Sequence, residues 1–113
     1  MSAAYAIVPY TASRFRDRLD PDMSLLLISY DLRAPGRNYD DVYKQLKSYD
    51  NWWKNLESVW IVVTSKSPSQ VRDDLKVLVD SNDKILVVDI SDQSSAWRGF
   101  SDSGSKWLHN HRN

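Results

Sequence analysis

The sequence predicts an α+β domain in the order β-α-β-β-α-β, with four antiparallel strands and two helices on one face. Three observations carry that reading. Apolar, β-branched runs occupy residues 25–31, 59–64 and 84–90. An aromatic run at 52–56 lies one short turn before the second of these, as in a hairpin. Two segments between the runs, after residue 38 and after residue 67, space their apolar residues at helical intervals.

The first strand, Leu25-Leu26-Leu27-Ile28-Ser29-Tyr30, is closed by Asp31 and followed by Arg33, Pro35, Gly36 and Arg37. A buried strand thus delivers a carboxylate and two guanidinium groups to one edge of the sheet. The first helix is expected to open with Asn38 as N-cap and Asp41 as a weaker capping-box partner. Tyr39, Val42, Tyr43 and Leu46 form its apolar face. Asp50-Asn51 breaks it, and strands at 52–56 and 59–64 flank Glu57-Ser58. Ser67-Pro68-Ser69-Gln70 supplies an N-cap, a proline at the first helical position and a capping-box glutamine, the clearest helix start in the chain. Val71, Leu75, Leu78 and Val79 give that helix its buried face, the acidic turn at 80–83 ends it, and residues 84–90 form the last strand. Two crossover helices on one face of such a sheet make the ferredoxin-like arrangement.

The 113 residues divide into an N-terminal arm at 1–22, the domain at 23–90 and a C-terminal segment at 91–113. The arm lacks clean periodicity, and Met23 reads as an alternative start of translation, with residues 1–22 either an added arm or a mis-assigned leader. Trp97, Phe100, Trp107 and Leu108 are too apolar for a disordered tail, so residues 91–108 are expected to pack on the domain or across a dimer.

Composition limits the chemistry. With no cysteine, thiol catalysis and Cys-based zinc sites are excluded. Fifteen basic residues balance fifteen acidic ones, so nucleic-acid binding would depend on a local patch rather than a global field. No apolar run is long enough to cross a bilayer and no signal-peptide order precedes the domain, which gives a cytoplasmic protein without a membrane partner as the expectation. Three glycines leave no phosphate-binding glycine-rich loop, and no nucleophile elbow is present. His109 and His111 lack further ligands and read as a surface tail.

Residues 28–39, ISYDLRAPGRNY, followed by Leu56-Glu57-Ser58-Val59-Trp60, Val71-Arg72-Asp73-Asp74-Leu75, Asp80-Ser81-Asn82-Asp83 and Ala96-Trp97, resemble the small bacterial and phage proteins of the SinR family. They do not resemble the helix-turn-helix repressor of the same name. The SinR-family proteins look in turn like relatives of the CRISPR-associated Cas-two family and, more distantly, of the VapD toxin. The resemblance covers residues 24–100. It implies a homodimer in which the first-strand acids, Asp31 here, face one another and can hold Mg²⁺ for phosphodiester hydrolysis. Paired carboxylates suit that ion, which keeps waters for a phosphate substrate.

Asp31 is therefore the candidate catalytic and metal-binding residue, with turn capping as the alternative. Ser58, matching the family's third-strand signature, would position a metal-bound water, although no base is fixed beside it. Arg33 and Arg37 pair either with phosphates or with Asp40 and Asp41. They are separated by a Pro-Gly loop, whereas basic residues commonly lie side by side after the acid in Cas-two proteins. Lys44, Lys47 and Lys54 complete the candidate nucleic-acid contacts. Tyr30, Trp52, Trp53 and Trp97 are candidates for base stacking or a dimer surface, and Trp60 for the core. The expected function is a Cas-two-like homodimer associated with RNA or DNA, either a Mg²⁺-dependent endoribonuclease or a non-catalytic scaffold. A protein-interaction adaptor is the third reading.

Overall fold

The computed structural model describes residues 22–112, so the expectations for the N-terminal arm fall almost entirely outside the described residues. Ser24–Ser91 forms one compact unit, and residues 92–112 belong to another. Within the first, β1 (Ser24–Asp31), α1 (Asp40–Lys47), β2 (Asn51–Leu56), β3 (Val59–Thr64), α2 (Pro68–Lys76) and β4 (Lys84–Asp89) follow the expected order. The strands lie in the order β2-β3-β1-β4, and all three pairings are antiparallel. This is the ferredoxin-like sheet, with β1 and β3 central and β2 and β4 at the edges.

The pleat explains the core. Alternate residues Leu26 and Ile28 of β1, and Trp60 and Val62 of β3, pack with Val42, Leu46, Val71 and Leu75 of the two helices. Each such aliphatic side chain contributes about 1.5–3 kcal/mol when fully removed from water. The residues between them, Leu25, Ile61 and Val63, lie on the reverse face and are buried too.

Local chemistry sets the boundaries. Ser67 Oγ accepts the Gln70 amide, and the Gln70 side chain accepts the Ser67 amide, so the capping box forms as expected and Pro68 opens α2. The start of α1 differs from expectation. Its N-cap is Tyr39, which makes no side-chain cap bond, while Asn38 Oδ1 accepts the Asp40 amide from one position further out. The cause is long-range: the Tyr39 hydroxyl is held by Asp83 and by the Ala34 amide, which fixes where the chain enters the helix. Between β1 and α1, Ala34 to Arg37 close a turn through the Arg37 amide and the Ala34 carbonyl, with Pro35 second and Gly36 third. Gly36 has φ +71°, the left-handed conformation that a type II turn requires there.

The β2–β3 hairpin forms as expected, with one irregularity. Trp53 pairs with Ile61 but Leu56 pairs with Val59, so one extra residue bulges from β2 between them.

In the second unit, Asp102–Arg112 form helix α3. His109 and His111, expected in a surface tail, both lie on this helix, His109 exposed and His111 half-buried. Ser101 Oγ accepts the Gly104 amide at its start, a serine N-cap that the Ser-rich composition concealed.

Candidate nucleic-acid interface

Asp31 ends β1 opposite Lys84, on the sheet face that carries Leu25 and Leu27 rather than on the helix side. Its Oδ2 accepts the Arg33 Nε–H at 2.7 Å, and both side chains are substantially exposed. Ser58 lies in the hairpin turn, where its carbonyl accepts the Tyr30 amide at 3.1 Å. Ser58 is thus beside Tyr30, in the turn outside the β1–β3 ladder, whereas Asp31 pairs with Lys84 of β4 on the other side of β1. No hydrogen bond joins the side chains of this candidate catalytic pair, and the Asp31 carboxylate is held by Arg33 instead. Among the described residues no three His, Asp or Glu side chains gather as metal ligands. A single carboxylate already neutralised by a guanidinium does not build a magnesium site within one chain.

Neither arginine pairs with Asp40 or Asp41. The Arg33 side chain is committed to Asp31, and its amide donates to Asp83 Oδ1 at 2.7 Å. Arg37 donates to the Leu78 carbonyl at 3.1 Å, its guanidinium 5.8 Å from the Tyr39 ring centroid. Both tie the loop after β1 to the end of α2 and the turn before β4. At the centre of that tie Tyr39 donates to Asp83, which also accepts the Asp80 amide. Burial opposes charge on Asp83, but the Arg33 and Asp80 amides and the Tyr39 hydroxyl outweigh it and hold its carboxyl below the usual range. Burial, reinforced by the bond to Asp83, raises the Tyr39 phenol.

Of the candidate stacking residues, Trp53 is buried on the reverse face, opposite Ile61. Tyr30 is half-buried on the helix side, its hydroxyl accepting the Trp60 indole N–H at 3.1 Å, and its phenol is raised chiefly by that burial. Trp97 belongs to the second unit, where its indole donates to Ser105 Oγ at 3.0 Å and its ring meets His109 edge-on at 4.8 Å.

Trp52 is different. It sits on edge strand β2, 38% exposed, and forms one wall of a groove of about 370 Å³ with Tyr43, Lys47, Lys54 and Trp60. Trp60, with 2% exposure, is the floor: its ring lies 5.3 Å from Trp52, tilted by 49°, and 6.4 Å from Tyr43, nearly parallel. The Lys47 ammonium stands 5.5 Å from the Trp52 ring centroid, within cation–π range. No carboxylate lines the groove, and no described acid pairs with Lys47 or Lys54. Lys44 is exposed on α1 one turn before Lys47.

Three of the sequence candidates, Lys47, Trp52 and Lys54, therefore meet, while Tyr43 and Trp60, read from sequence as packing residues, complete the site. A signal for it was present. Tyr43 and Lys47 are one helical turn apart, and Trp52 and Lys54 are one strand repeat apart, so each element presents an aromatic followed by a lysine on one face. No protein-family model matches this chain, and no curated protein matches it.

Proposed function

We propose that this protein is a Cas-two-like homodimer that binds nucleic acid as a scaffold, through the groove between α1 and β2. The observation that carries the proposal is the pairing of two lysines from separate elements with an exposed indole, in a groove whose described lining holds no acid. Ammonium groups neutralise phosphates, and flat aromatic faces stack on bases of any identity. A local patch of this kind reconciles nucleic-acid binding with a formal net charge of zero. The scaffold reading is favoured over the endoribonuclease because the Asp31 carboxylate is already ion-paired with Arg33.

Fluorescence anisotropy with labelled RNA and DNA at stepped salt concentrations tests it. Affinity is expected to fall linearly on a log–log plot as counterions are released, and the double variant Lys47→Gln/Lys54→Gln is expected to reduce the slope by roughly 1.4–1.8. Salt-independent binding, or a double variant that binds like the parent, would refute it. Sedimentation of the same sample should give twice the 13.1 kDa chain mass.

A further inference from the structure

We infer that the groove selects single-stranded nucleic acid by seating one unstacked base against Trp52, with Lys47 leaving the indole face to meet the neighbouring phosphate. This rests on the nucleic-acid reading above and specifies the ligand. The shape argues for it first: about 370 Å³, walled by α1 on one side and β2 on the other, lies at the small end of ligand cavities. Such a space admits one nucleotide unit and not a double helix. In a duplex the base faces are already stacked and are unavailable to a side chain, whereas a single strand can splay a base onto an aromatic ring.

The distribution of exposure argues for it second. Trp60 is almost fully buried and packs between Tyr43 and Trp52, so it braces the groove and offers no free face. Trp52 is 38% exposed and is the ring a base can reach. A tryptophan braced from behind is held in place before the ligand arrives, which lowers the ordering cost of binding.

Lys47 supplies the third argument. Its ammonium sits over the Trp52 ring at 5.5 Å, on a long flexible stem. A base arriving at that ring displaces the ammonium, and the nearest compensation for the lost cation–π contact is the phosphate that arrives with the base. Lys54, from the opposite wall, is placed to meet a phosphate on the other side of the stacked unit.

The test uses the full chain and labelled probes: oligothymidylate, an oligonucleotide of equal length with abasic spacers, and a duplex. The parent protein should bind oligothymidylate about fivefold or more tightly than the abasic strand, consistent with stacking energies of about 1–3 kcal/mol per base. It should also favour the single strand over the duplex. Trp52→Ala should abolish the preference for bases, Trp52→Phe should retain most of it, and Lys47→Gln should weaken oligothymidylate and abasic strands alike. Trp52 lies at a sheet edge, and circular dichroism of Trp52→Ala against Trp52→Phe separates lost stacking from lost fold. Equal binding of all three probes, or an unchanged preference in Trp52→Ala, overturns the inference and leaves the nucleic-acid reading standing. Absence of binding to every probe overturns both.

Discussion

The Arg33 Nε–H donates to Asp31 Oδ2 at 2.7 Å, so the acid that closes the first strand is neutralised by a residue two positions later. Both partners are exposed, and exposed ion pairs contribute little to folding. Asp31→Asn should therefore change thermal stability by less than about 1 kcal/mol. With no ligand cluster among the described residues, millimolar Mg²⁺ or EDTA should leave the parent melting temperature unchanged, as differential scanning fluorimetry can check. A Mg²⁺-dependent rise that vanishes in Asp31→Asn would instead place an ion between two copies of this carboxylate.

Tyr39 and Asp83 should matter more. Tyr39→Phe removes a bond to the carboxylate and one to the Ala34 amide, and urea denaturation should show a lower midpoint than the parent's. Because the folded-state pKa of Asp83 lies below its ordinary value of 3.8, its contribution is present above that value and is lost as pH falls through the folded value. Asp83→Asn should lower stability at neutral pH and flatten the acid limb of the stability profile.

Tyr49 predicts the opposite limb. Its phenol is pushed up to about 12, chiefly by burial, with the bond to Asp74 adding to the rise. Asp74 in turn is held low, against burial, by Lys66 and Tyr49. A raised phenol contributes stability that is whole below its ordinary value near 10 and is lost as pH rises toward 12. The stability difference between the parent and Tyr49→Phe should shrink across that window and stay constant between pH 6 and about 9.

Ser67→Ala removes the Oγ that accepts the Gln70 amide, one half of the capping box at the start of α2, and leaves the bond from the residue 67 amide to the Gln70 side chain. Chemical denaturation should report a cost of about 0.5–2 kcal/mol with an unchanged m-value.

The contrast between Ser67 and Tyr39 explains what was legible in the sequence. Ser67, Pro68 and Gln70 act within one turn, so their order reveals the helix start, and the continuous apolar runs of β1 and β3 reveal the central strands with nearly correct ends. Asn38 fits the N-cap pattern with a weaker capping box, but Tyr39 answers to Asp83, 44 residues away, and no local pattern encodes that bond. The same holds for the site. Lys47, Trp52 and Lys54 were candidates as residue types, but their meeting depends on α1 packing beside β2, and the roles of Tyr43 and Trp60 depend on Trp60 lying between two rings. Asp31 and Ser58 are grouped only through a family resemblance, which does not encode the ion pair that Asp31 makes with Arg33.

The extra residue between Trp53 and Leu56 has a consequence for the solubility of the protein. β2 is an outer strand bearing an exposed tryptophan and an exposed Leu56, features that invite strand-to-strand aggregation. The bulge bends the strand away from the flat geometry another chain could add to, and Lys54 adds a charge beside it. The lysine that faces the groove thus also acts as a gatekeeper, and removing it together with the bulge would turn a binding edge into a sticky one.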